Sequence, residues 1–180
     1  MTIQQRSPLV IGNWKMHGTF ASNSSLIQAL LGQTEGVAVA IAPPSLYLSA
    51  TRQQLTGSTI ALAAQNVASE AQKGAYTGET SATMLADVGV TYGIVGHSER
   101  RQYYGETDAL VAQKCLRLQE QGIQPIICVG ESLAEREAGQ VEQVVSRQLR
   151  AVIELCGIEV LSQAVIAYEP VWAIGTGKTA

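Results

Sequence analysis

The strongest constraint on the fold is a regular alternation of short apolar runs with longer amphipathic segments. The runs are nearly continuous in hydrophobicity, which is typical of parallel strands buried on both faces. Between them lie helical patterns that begin and end on helix-capping residue types. This order predicts right-handed βαβ units and a parallel sheet. The six runs span residues 9–11, 37–42, 59–64, 92–95, 126–129 and 164–167, and the clearest helical patterns span residues 22–32, 107–122 and 140–157.

The spacing of the runs narrows the choice of fold. Successive runs lie about 31 residues apart, and eight such steps give the ~250 residues of an eight-fold βα barrel. The chain has 180 residues. A doubly wound open sheet could be finished within that length, whereas an eight-fold barrel could not. No linker or shift in composition divides the chain, so we expect residues 1–180 to form one domain.

Composition excludes several classes of function. The net charge is −3 and the basic residues are scattered, which argues against binding to nucleic acid or to an anionic membrane. The N-terminus lacks the apolar region of a signal peptide, and no apolar run is long enough to span a bilayer. Cys115, Cys128 and Cys156 share no C-x-x-C spacing. We therefore expect reduced thiols in a cytoplasmic protein, without structural zinc.

Polar clusters follow three of the apolar runs, at residues 12–15, at residues 96–101 and at Glu169. The carboxyl ends of parallel strands meet at the edge of the sheet where ligands bind. Because side chains alternate along a strand, Asn13 and Lys15 should share the face of Ile11, His97 that of Val95, and Glu169 that of Ala167. If those faces line the barrel interior, the four polar residues converge above one axis.

Each of these residues also has an ordinary structural explanation. Lys15 could be a solvated charge, and His97 could be a hydrogen-bonded structural residue. Glu169 precedes Pro170 and could simply end a strand. Three such coincidences at one edge of one sheet are less probable than a single site.

Four motifs now carry a family resemblance. They are GNWKM at residues 12–16, GHSERR at 96–101, CVGE at 128–131 with EREAG at 135–139, and AYEPVWAIGTG at 167–177. In this order and at this spacing, the chain resembles the triosephosphate isomerase family. The resemblance implies an α/β fold of the TIM-type (βα)8 barrel class, incomplete here, with five βα units, the sixth strand and its lid loop.

The resemblance also implies roles for individual residues. Glu169 would be the catalytic base and His97 the electrophile. Lys15 and Asn13 would contact the substrate, a triose phosphate, and Gly175 would offer its amide to the substrate phosphate. Supporting positions are Ser98, Glu99 and Cys128. A long loop at residues 72–83 resembles the loop that inserts into the partner subunit of a homodimer, with Tyr76, Thr77, Gly78 and Glu79 at its centre.

The chemistry of an aldose–ketose exchange agrees with these roles. A carboxylate must move a proton between adjacent carbons, and Glu169 is the acidic candidate on a convergent face. Lys15 and His97 would stabilise the enediolate oxygen, with the imidazole neutral as in this family. Residues 171–179 would form a lid that excludes water. The reaction requires no redox cofactor and no metal.

Three alternatives remain open. Gly177, Lys178 and Thr179 suggest a nucleotide-binding P-loop, but Trp172 stands where that motif needs glycine. Another phosphate-binding barrel enzyme would need a different base and usually a metal or a Schiff-base lysine. An inactive barrel fragment that only associates with other chains is the third.

The family closes its barrel with two further strands, whose loops hold the substrate phosphate. Without them the first and sixth strands would each present an unpaired edge. We therefore expect residues 1–180 alone to show little or no isomerase activity and to aggregate unless a partner fragment completes the barrel.

Overall fold

The computed structural model describes residues 8–34 and 36–173, which form one six-stranded sheet flanked by helices. Every neighbouring pair of strands is parallel, and the spatial order β1-β2-β3-β4-β5-β6 follows the chain. This sequential order is that of a barrel wall and not that of a doubly wound sheet. The strands are β1 (Leu9–Asn13), β2 (Ala38–Ala42), β3 (Ala61–Ala64), β4 (Tyr92–Val95), β5 (Gln124–Val129) and β6 (Val165–Tyr168).

The two faces of the sheet carry two separate hydrophobic clusters, because successive side chains of a strand point to opposite faces. One cluster lies inside the curl of the sheet and is built mainly from small residues, among them Ala40, Ala63 and Ala167. The other packs the opposite face against the helices and includes Ile41, Val95 and Ile127. Both faces of the central strands are therefore buried, as their continuous hydrophobicity predicts, and the expected incomplete eight-fold βα barrel is confirmed.

The outer strands differ from the central ones. Among the described residues β1 pairs only with β2, and β6 pairs only with β5. On the helix-facing side of these strands Val10 is 58 % exposed and Ile166 is 41 % exposed. Each outer strand therefore presents a free edge within residues 8–34 and 36–173.

Three long helices lie where their patterns predict them, with one cap displaced. The pattern at residues 22–32 suggests Ser22 as the N-cap, but the helix begins one turn earlier and Thr19 caps it. Thr19 and Ser22 form a capping box, in which each side chain accepts the backbone N–H of the other. Thr107 caps the second of these three long helices, Asp108–Glu120, by accepting the N–H of Leu110. The helices are α1 (Phe20–Leu30), α2 (Leu48–Gln54), α3 (Ala82–Val88), α4 (Ser98–Tyr104), α5 (Asp108–Glu120), α6 (Leu133–Glu137), α7 (Val141–Cys156) and α8 (Val160–Gln163).

None of the described helices is both long enough and apolar enough to cross a bilayer.

A buried charge cluster joins α4, α5 and the segment after β3. Glu106 and Lys114 are each only 5 % exposed, and the Lys114 ammonium lies 2.5 Å from the Glu106 carboxylate. Lys114 also donates to Asn66 Oδ1 at 2.7 Å, and Arg100 donates to the same Glu106 carboxylate. Burial acts to raise the pKa of Glu106, but the hydrogen bonds from Lys114 and Arg100 outweigh it and hold the pKa below its usual range.

This cluster generates a stability prediction. Lys114→Met removes one partner of a buried ion pair and leaves the Glu106 carboxylate only partly compensated. We expect a loss of about 3 kcal/mol in the free energy of unfolding, measured by urea titration at pH 7. The matched control is Arg147→Met. Arg147 forms an ion pair with Asp108 at 3.0 Å, but the Arg147 side chain is 57 % exposed. The control should cost about 0.5 kcal/mol or less.

The effect of Lys114→Met should depend on pH. The folded-state pKa of Glu106 lies below its unfolded value, so its pairing stabilises the fold at neutral pH and is lost as the pH falls through the folded-state pKa. The gap between parent and variant should therefore shrink below pH ~4. If Lys114→Met and Arg147→Met lowered the free energy of unfolding equally, the buried pair would contribute no more to stability than the exposed one.

Candidate active site

Polar residues from β1, β4 and β6 meet at the carboxyl-terminal rim of the sheet. They form a chain of contacts that runs from Lys15 through Glu99 and His97 to Glu169. A small cleft of about 140 Å³ beside them is lined by residues that include Asn13, Lys15, His97 and Glu99. Parallel strands place these groups together although they lie far apart in sequence.

Glu169 follows β6 directly, and its carboxylate has two partners. Oε1 lies 3.1 Å from Nε2 of His97, and Oε2 accepts the backbone N–H of Ser98 at 3.0 Å. The Glu169 N–H donates to the carbonyl of Val129 at 2.7 Å, which extends the β5–β6 ladder by one residue. The carboxylate is therefore held at the rim by its own backbone and by the start of α4.

His97 reaches this position by a route that strand alternation does not predict. Val95 faces the helices, so its face is not the barrel interior, and strand alternation from Val95 would not bring His97 to the site. Gly96 adopts φ +69°, a left-handed conformation that favours glycine, and it ends the strand before His97. The turn re-aims His97, which becomes the N-cap of α4.

The hydrogen bonds of His97 define its tautomer. Nδ1 accepts the backbone N–H of Glu99 at 3.2 Å, so the lone pair lies on Nδ1 and the ring proton on Nε2. Nε2–H then points at the Glu169 carboxylate. His97 is 8 % exposed and caps the N-terminus of α4. This geometry corresponds to an imidazole that donates from Nε2.

Lys15 also departs from the strand pattern. β1 ends at Asn13, and Lys15 lies in the following turn with φ +50°, a strained value for a residue with a side chain. Its Nζ lies 2.6 Å from Glu99 Oε1. The hydrogen bond from Lys15 lowers the pKa of Glu99, while partial burial opposes it. The pair keeps a fixed cation beside His97.

Two amide side chains hold the backbone of Lys15 in its strained conformation. Asn13 Oδ1 accepts the N–H of Lys15 at 3.0 Å. Gln65, just after β3, donates from Nε2 to the carbonyls of Lys15 at 2.9 Å and Ala42 at 2.7 Å. Three strand tips are thus cross-linked around the cation.

Glu131 is fully buried and binds side chains at the end of β6 and just after it. Its carboxylate accepts Tyr168 Oη at 2.9 Å and Trp172 Nε1 at 2.9 Å, and Arg136 donates to it at 3.2 Å. Arg136 also lies over the Trp172 ring, 4.4 Å from its centroid. Burial acts to raise the pKa of Glu131, but these hydrogen bonds hold it below its usual range. Glu131 thereby holds Tyr168, which precedes Glu169 in the chain, and Trp172, which follows it.

Cys128 lies on the inner face of β5 and is 2 % exposed. Burial raises the pKa of its thiol well above the usual range, and the nearby Glu169 carboxylate adds to the effect. Cys128 is therefore a neutral thiol that packs beneath the Glu169 carboxylate.

Some predicted residues lie elsewhere. The four loop residues Tyr76, Thr77, Gly78 and Glu79 are exposed and do not belong to the chain of contacts from Lys15 to Glu169. Gly175 lies outside the described residues, as do Gly177, Lys178 and Thr179. Of the expected lid, residues 171–173 are described and form a 3₁₀ turn. Within residues 8–34 and 36–173, no three His, Cys, Asp or Glu side chains are grouped so as to hold a metal ion.

Sequence reasoning assigned no role to Gln65, Glu131 or Gln148. Only Gln148 carries a local signal, because it interrupts the apolar stripe of α7 formed with Val144 and Val152, one turn to either side. The partners of Gln65 come from distant segments, and so do Tyr168 and Trp172, which bind Glu131.

Comparison with known proteins places the site in a family. The family model described as triosephosphate isomerase matches residues 8–180. Curated triosephosphate isomerases are similar over 97 % of this chain. The protein from Thiobacillus denitrificans is 59 % identical over 175 residues, which cover 70 % of its length, and that from Cupriavidus necator is 54 % identical, covering 71 %. The protein from Paracidovorax citrulli is 57 % identical over 180 residues, covering 71 % of its length.

The match spans nearly the whole chain and includes all four strand-tip segments that build the rim. The chain belongs to the triosephosphate isomerase family.

Proposed function

We propose that this chain carries the base, the electrophile and the cation that interconvert dihydroxyacetone phosphate and glyceraldehyde 3-phosphate. The observation that carries the proposal is the meeting of Glu169, His97 and Lys15 at one rim, with His97 Nε2 3.1 Å from the Glu169 carboxylate. The family's name describes this reaction. The geometry supplies the groups that the reaction requires.

The proton moves in two steps. Glu169 removes a proton from C1 of dihydroxyacetone phosphate, the C–H electron pair becomes the C1=C2 double bond, and the C2 oxygen takes the negative charge. A proton then passes from the C1 hydroxyl to the C2 oxygen, so the negative charge moves to the C1 oxygen. The protonated Glu169 returns its proton to C2, which takes the electron pair of the double bond, and the electrons on the C1 oxygen close the C1 carbonyl of the aldehyde. One carboxylate near both carbons can therefore act as base and then as acid.

His97 and Lys15 stabilise the charge that develops on oxygen. In the structure the Nε2–H of His97 points at Glu169, so the substrate oxygen has to take the place of the carboxylate as its acceptor. Lys15 keeps further N–H donors beside its bond to Glu99, because an ammonium has three. Both groups are positioned before substrate arrives, which is the condition for strong electrostatic stabilisation.

We also propose a homodimer. Several large apolar side chains are exposed on the side of the rim that carries residues 72–83: Met16 is 93 % exposed, Tyr104 68 % and Tyr76 49 %. A cleft of about 290 Å³ is lined by residues that include Met16, Gly78, Glu79 and Tyr104. Exposed apolar groups around a cleft are typical of an interaction surface. The protruding loop is the element that would fill the same cleft of a partner.

A cytoplasmic location accompanies this proposal. Cys115, Cys128 and Cys156 are free thiols in the structure, and the first two are buried. Unpaired thiols in this number are ordinary in a reducing compartment.

The assay uses two proteins. One is residues 1–180, and the other is the same residues followed by the C-terminal part of the Thiobacillus denitrificans isomerase that lies beyond the match. We expect the fusion to turn over substrate, and residues 1–180 alone to show little turnover, because phosphate-holding loops of such barrels follow strands seven and eight. Absence of turnover in the fusion would contradict the proposed function.

Glu169→Gln in the fusion should lower kcat by about 10²–10⁴-fold or more, because it removes the general base. The midpoint of urea unfolding should barely change, since the amide oxygen still accepts the N–H of Ser98. Glu137→Gln is the matched control, as Glu137 is an exposed carboxylate on α6. A Glu169→Gln variant with near-parental kcat would remove Glu169 from the mechanism.

Thr77→Arg tests the dimer. A charge inserted into the proposed interface would be buried without a partner, at a cost of about 3–5 kcal/mol. The dimer Kd of the fusion should rise by at least about 100-fold in sedimentation velocity at micromolar concentration. Thr59→Arg adds the same charge at an exposed position before β3, at the opposite end of the sheet, and should change nothing. Equal sedimentation of parent and Thr77→Arg would exclude the loop from the interface.

A further inference from the structure

Gln148 is a buried polar residue in the middle of α7, at a position where the helix otherwise presents apolar side chains to the core. It is 5 % exposed, against 2 % for Val144 and 0 % for Val152, one turn to either side. A buried amide is costly unless it is hydrogen-bonded. Its two polar atoms therefore need hydrogen-bond partners inside the protein.

Both atoms of the amide bind one residue, Gly130. The Gly130 N–H donates to Gln148 Oε1 at 2.9 Å, and Gln148 Nε2 donates to the Gly130 carbonyl at 3.1 Å. Gly130 lies just beyond the end of β5, where the strand ladder no longer provides hydrogen-bond partners for its N–H and C=O groups. Two contacts from one planar amide fix the position of this residue and also its rotation.

Gly130 in turn touches the backbone of the base. A Cβ added to Gly130 would lie 1.9 Å from the carbonyl oxygen of Glu169, so only a glycine fits there. The Glu169 N–H donates to the carbonyl of Val129, which precedes Gly130. The segment formed by Val129 and Gly130 is therefore the surface against which the backbone of Glu169 rests.

We propose that Gln148 is a positioning residue for the catalytic base. It holds Val129 and Gly130 against Glu169, and so limits the positions that the carboxylate can take relative to the substrate carbons. A displacement of about 1 Å at a reacting group can cost on the order of 100-fold in rate. The proposal rests on the proposed function of Glu169, and it assigns Gln148 no contact with substrate.

The test compares three versions of the fusion protein: the parent, Gln148→Met and Val144→Ala. Gln148→Met keeps the length of the side chain but removes both hydrogen bonds. Val144→Ala is the matched control, because it weakens packing one turn away on the same face of α7 and leaves the two hydrogen bonds between Gln148 and Gly130 in place. We expect kcat to fall by about 10–100-fold in Gln148→Met with KM changed by less than about threefold. In Val144→Ala, kcat should stay within about twofold of the parent.

A kinetic isotope effect separates positioning from general destabilisation. With substrate deuterated at C1, misplacement of the base should make proton abstraction rate-limiting and raise the isotope effect on kcat in Gln148→Met only. Gln148→Glu keeps the acceptor for the Gly130 N–H but loses the donor, and its kcat should lie between parent and Gln148→Met. Parental kcat in Gln148→Met, or equal losses in both Gln148→Met and Val144→Ala, would overturn the proposal.

Amide hydrogen exchange provides a readout that does not depend on turnover. In Gln148→Met, exchange should accelerate at least about tenfold at the amides of both Gly130 and Glu169, and at neither in Val144→Ala. Acceleration at Gly130 alone would show that Gln148 only satisfies a buried backbone group, which contradicts positioning. An inactive parent would refute the proposed function, while the exchange result would still decide whether Gln148 holds the Glu169 backbone.

Discussion

The close approach of β5 and β6 at their carboxyl ends is the constraint on which the site depends. Glu169 donates its N–H to Val129, and its carbonyl lies so near Gly130 that no side chain fits between them. A carboxylate on a freely moving loop would explore many positions, whereas this contact limits Glu169 to the rotamers of one fixed backbone. The distance from His97 to Glu169 follows from this limit and from the turn at Gly96.

The rim is held together by polar side chains outside the proposed catalytic groups. Gln65 fixes the strained turn at Lys15, Glu131 fixes Tyr168 and Trp172, and Glu106 with Lys114 ties α5 to the segment after β3. Each satisfies backbone or side-chain groups that have left the regular ladder. The apolar clusters set the curl of the sheet, and these buried polar contacts set the precise course of the loops above it.

The sequence predicted the parts of the molecule that depend on local patterns. The apolar runs gave β4 with correct bounds and the other strands within a few residues, and Thr107 was a correct N-cap because capping needs only its own neighbours. The motifs also identified the family. Strand alternation failed for His97, since Gly96 breaks the alternation. It also failed for Lys15, which lies in a turn.

Tertiary partners could not be predicted from one sequence. Glu131 is conspicuous only once Tyr168, Trp172 and Arg136 are seen to surround it. Gln148 did interrupt an apolar stripe, which is a local signal, but its partner Gly130 is 18 residues away. Long-range hydrogen bonds of this kind produce no periodic pattern in the sequence. The residues that hold the site in place are therefore visible only in the structure.

In the proposed mechanism a carboxylate moves a proton through an enediolate at this rim. The most direct measurement is ¹H NMR of glyceraldehyde 3-phosphate formed from dihydroxyacetone phosphate by the fusion protein in D₂O. A proton held by Glu169 exchanges with solvent, so we expect product that carries deuterium at C2. Product that forms with only hydrogen at C2 would indicate direct hydride transfer between the carbons and would contradict proton transfer by Glu169.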